Sequence, residues 1–185
     1  MAERARETYR GTDLIARMYR KVVRGKAWCH GREIAATEGE SEADVLDALR
    51  GLVDDAFTVE TASGAVAYPS ADDYTVALQA HLGHLSERYR LMLRAHYRAP
   101  ERTVTAQDLA AAAAYPRTSS ATLHYGKIGR MLGEALLFQP RERAAGEPNW
   151  MLLIAENVGD LNVDGDASWR MRDEVAEALH NVGLV

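Results

Sequence analysis

The stretch TSSATLHYGKIGRMLGEAL, residues 118–136, constrains this chain more than any other, because it sets three glycines into a run with the apolar period of a helix. Glycine inside a helix costs about 1 kcal/mol against alanine, so such a run demands close packing, a phosphate contact or a break. On a helical wheel Ala121, Tyr125, Ile128, Met131, Leu132, Ala135 and Leu136 share one face, which has to meet a core. Ser119, Ser120, Lys127 and Arg130 lie on or near the opposite side. Gly126, Gly129 and Gly133 form a strip beside the apolar face, where another backbone can approach closely. A helix is therefore expected, with one buried face, one polar face and a close neighbour.

Upstream, TDLIARMYRKVV places Leu14, Ile15, Met18, Val22 and Val23 on a helical stripe, and GREIAATEG reads as a second, shorter helix. SEADVLDALRGLVDDA reads as a third, with Ser41 as N-cap and Asp44 three residues on. FTVETASGAVAYP then gives two short strands around a Ser-Gly turn. Three helices and a hairpin follow the order of a winged helix. Residues 71–99 predict a connecting helix, bent at Gly83, on which Leu78, Leu82, Leu85, Tyr89, Met92 and His96 form a stripe that packs within the chain or supplies a seam for a homodimer. Next come VTAQDLAAAAA, capped by Thr105 with Asp108 at the reciprocal position, a turn at YPRT and the glycine-bearing helix. PNWMLLIAEN and ASWRMR read as strands, and DEVAEALHNVGLV as a closing helix. The expected fold class is mainly α with small β-hairpins: two tandem winged-helix-like units, residues 1–70 and 100–185, joined by a long helix over 71–99.

The chain has no run of about 18 apolar residues to cross a membrane, and MAERARETYRG lacks the apolar core of a secretory leader, so a cytoplasmic protein is expected. Its lone Cys29 forms no internal disulfide. The net charge of −5 is unevenly spread: residues 1–30 carry +5, 31–84 carry −9, 85–143 carry +5 and 144–185 carry −6. The third helix of the first unit bears Glu42, Asp44, Asp47, Asp54 and Asp55 against Arg50 alone, which repels phosphate and suits architecture or a protein partner. The basic block holds the glycine-bearing helix. In helix-turn-helix proteins the second helix enters the major groove, with arginine on guanine edges and hydroxyls on phosphates. Arg117, Thr118, Ser119, Ser120, Tyr125, Gly126, Lys127 and Arg130 are the expected DNA-binding set. A rival reading takes GKIG as the G-x-x-G clamp of the KH fold, although the segment before it reads as helix where that fold needs strands. No P-loop is present.

Chemical sites are sparse. His81, His84 and Glu87 have metal-ligand spacing on a helix, and DLNVDGDASWRM opens like a calcium loop with Asp160, Asn162, Asp164, Gly165 and Asp166 but has Met171 where a bidentate glutamate is needed. Surface packing is the commoner explanation of the first and a polar hairpin tip of the second. Cys29 beside His30 gives no geometry for a thiolate and its base. No catalytic residue, metal or cofactor is expected.

VTAQDLAAAAAYPRTSSATLHYGKIGRMLGEALLFQP, followed by PNWMLLIAE and WRMRDEVAEALHNVGLV, resembles an accessory module of bacterial HNH endonucleases of the methylation-dependent restriction type. The shared features are the threonine before a Leu-Ala helix, Tyr125 to Gly129, the Trp150 strand and the helix after Arg172. The resemblance covers the C-terminal half and implies target or modification recognition in defence against foreign DNA. The nuclease does not carry over, since His96, His124 and His180 stand in unrelated segments. The expected function is DNA binding without catalysis; the alternative is a protein-interaction adaptor that touches no nucleic acid.

Overall fold

In a computed structural model the chain is described over residues 4–29, 31–60, 66–142, 146–158 and 167–185. About 51% of it is helical and 27% strand, and it divides into two compact units, Met1–Val59 with Leu137–Gln139, and Glu60–Leu136 with Pro140–Val185. This mixed α/β composition overturns the mainly helical, tandem winged-helix expectation.

The first unit opens with four antiparallel strands in sequential order, β1 (Arg4–Tyr9), β2 (Thr12–Tyr19), β3 (Val22–Cys29) and β4 (Arg32–Gly39). The stripe read as helical alternates instead: Leu14, Ala16, Val23 and Ala27 are buried, while Arg17, Arg24 and Lys26 face out. Adjacent apolar pairs, Leu14 with Ile15 and Val22 with Val23, suit either period, and the turns decide. Arg10 and Gly11 both take positive φ (47° and 73°), the geometry of a two-residue hairpin turn, and the next links fall at Arg20 (φ 60°) and Gly31 (φ 79°). GREIAATEG is thus β4, and no helix precedes residue 42 among the described residues.

The helix α1 (Glu42–Ala56) forms as expected, with the Ser41 hydroxyl accepting from the Asp44 amide. Its Val45, Leu49 and Val53 pack on the sheet's inner face with Leu14, Ala16, Val23 and Ala27. Gly25 makes the close approach possible, since a Cβ there would lie 2.2 Å from the Val45 Cγ1. Of the expected hairpin over 57–69, the structure describes β5 (Thr58–Val59), whose partner is β7 (Phe138–Gln139) in parallel; residues 61–65, with the Ser-Gly turn, lie outside the described residues.

In the second unit the single connecting helix becomes two, α2 (Ala71–His81) and α3 (Glu87–Arg98), separated by the 3-10 turn Leu82–His84 and a fresh N-cap at Ser86. Leu78, Leu85, Met92 and His96 are buried in this unit's own core, and Leu82 and Tyr89 are half-buried. Then follow β6 (Thr103–Thr105), α4 (Ala106–Ala112) and α5 (Thr118–Leu136). Thr105 and Asp108 make the expected reciprocal cap. β8 (Ala155–Asn157) and β9 (Ser168–Met171) join β6 in an antiparallel sheet of order β6-β9-β8, and α6 (Asp173–Asn181) packs on α2. Residues 150–153, read as strand, form a 3-10 turn. No helix of the described residues is long and apolar enough to cross a membrane.

Candidate nucleic-acid interface

The glycine-bearing segment is one unbroken helix, α5, and the buried side chains of Ala121, Tyr125, Ile128 and Leu132 fix its orientation. The opposite stripe, Ser119, Leu123, Lys127 and Arg130, is exposed. Gly129 is the point of closest approach: a Cβ there would stand 1.9 Å from the Trp150 carbonyl oxygen, so the turn Trp150–Leu153 rests directly on the helix backbone. Gly126, one turn earlier, would meet nothing within 4 Å. It opens instead onto a groove of about 710 Å³.

One wall of that groove is α5, through Ser119, Thr122, Gly126, Lys127 and Arg130; the other includes Glu147, Asn149, Trp150, Asn157 and Trp169. Arg130 is held by Glu134 at 2.8 Å, a helix-surface pair with an exposed guanidinium and a half-buried carboxylate, worth about 1 kcal/mol or less. Lys127 has no acidic partner among the described residues.

A buried polar chain aligns the two walls. The Tyr125 hydroxyl donates to His96 Nδ1 at 2.6 Å, and His96 Nε2 donates to the Trp169 carbonyl at 3.0 Å. Burial pushes the His96 pKa down to about 4 and the Tyr125 pKa well up, so both groups are neutral at pH 7 and this donor pattern holds. β9 carries Trp169 between two neighbours, opposite Val104 of β6 and Asn157 of β8. α5, α3 and β9 are thereby tied together beneath the groove.

Of the residues expected to touch DNA, the structure brings Ser119, Gly126, Lys127 and Arg130 into the groove. Arg117 and Thr118 are exposed at the start of α5 but outside it, and Ser120 is half-buried. Tyr125 is corrected: with no exposed surface, it positions the site and cannot reach a ligand. The G-x-x-G clamp is also excluded, because Gly126 to Gly129 lie inside a helix. Trp169, Asn149 and Asn157 are not among the residues expected from the sequence, and Trp150 enters there only as the mark of a strand, where the structure has a 3-10 turn. Among the described residues no three His, Cys, Asp or Glu groups converge to hold a metal; His81, His84 and Glu87 are divided between two helices and a turn. Asp160, Asn162, Asp164, Gly165 and Asp166, like His30, lie outside the described residues. No family model, curated protein or solved structure matches this chain.

Proposed function

We propose that the chain is a cytoplasmic, non-catalytic DNA-binding protein whose second unit takes nucleic acid along α5. The observation that carries this reading is the convergence in one groove of Lys127 and Arg130 with two indoles, Trp150 and Trp169. Cations neutralise phosphate, aromatic rings stack on bases, and the Asn157 amide offers a donor and an acceptor to a base edge. The volume lies within the roughly 300–1,000 Å³ of sites that enclose a small ligand, so an unstacked base fits as a unit of recognition. The resemblance to a restriction-associated module agrees with target or modification recognition in defence against foreign DNA.

A gel shift and anisotropy titration over unmodified and methylated duplexes tests this. Binding should fall steeply with salt, and Lys127→Ala and Trp169→Ala should each weaken it. Salt-insensitive or absent binding would leave the adaptor reading in its place. The acids of α1 give that alternative little support, since Asp54 already binds Tyr9 and Arg10, Asp47 binds Arg50, and Asp44 binds Ser41.

A further inference from the structure

The outer face of the first unit's sheet gathers cations of the +5 segment over residues 1–30 beside two aromatic residues. Register sets Arg17 beside Arg24, Ile15 beside Lys26 and Asp13 beside Trp28, with Tyr19 paired to Val22 at the hairpin end. Ile15, Arg17, Tyr19, Arg24, Lys26 and Trp28 line one shallow concavity of about 270 Å³. Tyr19 is 51% exposed with the Arg24 guanidinium 4.9 Å from its ring centroid, and the Lys26 ammonium stands 5.7 Å from the Trp28 ring. The two aromatic residues lie six residue pairs apart in register, about 20 Å at 3.3 Å per residue.

We propose that this face is a binding platform for single-stranded nucleic acid, with Tyr19 and Trp28 stacking on bases and Arg17, Arg24 and Lys26 following the phosphates. Arg17 has no acidic partner among the described residues. Arg24 and Lys26 are paired with Glu38 at 2.7 Å and Glu33 at 2.5 Å, but both pairs are exposed, so a phosphate replaces the carboxylate at small cost. The acids of α1 belong to the element packed on the other face of the sheet, and on the outer face Asp13, Glu33 and Glu38 are outnumbered by Arg6, Arg17, Arg24 and Lys26. Aromatic rings on an open sheet meet bases whose faces are free, as in an unpaired strand; duplex stacking hides those faces. This platform is independent of the groove on the second unit.

The test uses the full chain and fluorescently labelled oligothymidylate and oligouridylate in anisotropy titrations, beside a duplex. Tyr19→Ala and Trp28→Ala should each weaken oligonucleotide binding about tenfold, equivalent to about 1.4 kcal/mol and within the range for one stacked base. Trp28→Phe should retain most of the affinity. Arg17→Ala should lower the salt slope by about 0.7, the value for one phosphate of a single strand. Lys127→Ala should leave the oligonucleotides bound while weakening the duplex, which separates failure here from failure of the groove. The proposal is overturned if the wild type binds neither oligonucleotide at low salt, or if combined Arg17→Ala and Tyr19→Ala, both at exposed positions, leave affinity intact. Equal affinity for heparin, indifferent to the loss of both aromatics, also overturns it and points to an acidic occupant such as α1 of a second copy.

Discussion

The imidazole of His96 has no exposed surface, and its Nδ1 accepts from the Tyr125 hydroxyl, a role open only to the neutral ring. Its pKa of about 4 in the folded protein lies below the unfolded value of about 6.5, so the unfolded chain takes up the proton first. Stability from this group is complete above pH 6.5, declines as the pH falls towards 4 and levels off below; the loss is about 3 kcal/mol at most. Urea midpoints measured from pH 7 to 4.5 should fall in the wild type, and His96→Gln should flatten that slope while lowering the midpoint at pH 7. An unchanged slope would place the acid sensitivity elsewhere. Two of the three glycines of α5 make a second contrast at this scale. Gly129→Ala drives a methyl into the Trp150 carbonyl and should cost about 1–3 kcal/mol, whereas Gly126→Ala meets nothing and should gain up to about 1 kcal/mol of helix stability. Because that methyl projects into the groove, Gly126→Ala should also weaken DNA binding, a stabilised protein with impaired function that thermal melts and a gel shift together would reveal.

Elements that carry their own boundary signals were legible in the sequence. Ser41 with Asp44, and Thr105 with Asp108, mark helix starts by chemistry that acts within a few residues, and both caps form. The strands were not legible by period, because Leu14 with Ile15 and Val22 with Val23 place apolar groups on both faces of either element. The informative signal was the recurrence at about ten residues of short links, Arg10-Gly11, Arg20-Lys21 and the one containing Gly31, which is hairpin spacing. The polar half of the groove was visible as the outer stripe of α5, while its tryptophans, Trp150 and Trp169, come from two later segments of the chain, and only tertiary packing places them opposite Gly126. The same packing logic yields a test of the first unit. Gly25→Ala would put its Cβ 2.2 Å from Val45 and 2.9 Å from Leu49, both buried, and should destabilise by about 1–3 kcal/mol through overpacking of α1 on the sheet. Gly51→Ala, on the exposed side of the same helix with nothing within 4 Å, should stabilise by up to about 1 kcal/mol. Urea unfolding that ranks the two in the other order would contradict the packing of α1.

At the scale of the whole molecule, a chain of net charge −5 gains no general attraction for DNA, so binding has to come from local cations. Around α5 these are Lys127 and Arg130 in the groove, and Arg117 at the exposed start of the helix. Each phosphate neutralised contributes about −0.9 to the slope of log affinity against log salt for duplex DNA, so two or three contacts predict a slope of about −2 to −3. That is shallow beside the slope of about −10 of a strongly basic repressor surface, and it makes binding depend more on stacking and base contacts than on charge. Lys127→Ala should weaken every duplex alike and reduce the slope by about one, since a lysine on phosphate reads no sequence. An arginine paired with a base edge behaves differently: its loss costs about 1–3 kcal/mol on the preferred sequence and much less on others. Arg117 and Arg130 should be compared on that criterion, with Arg130 expected to respond more because it lines the groove and Arg117 does not. The decisive variant combines Arg117→Ala, Lys127→Ala and Arg130→Ala, all exposed positions whose loss leaves the core untouched. If its melting temperature and its affinity for every duplex both match the wild type, α5 contacts no DNA, and its exposed stripe of Ser119, Leu123 and Lys127 belongs to a protein interface instead.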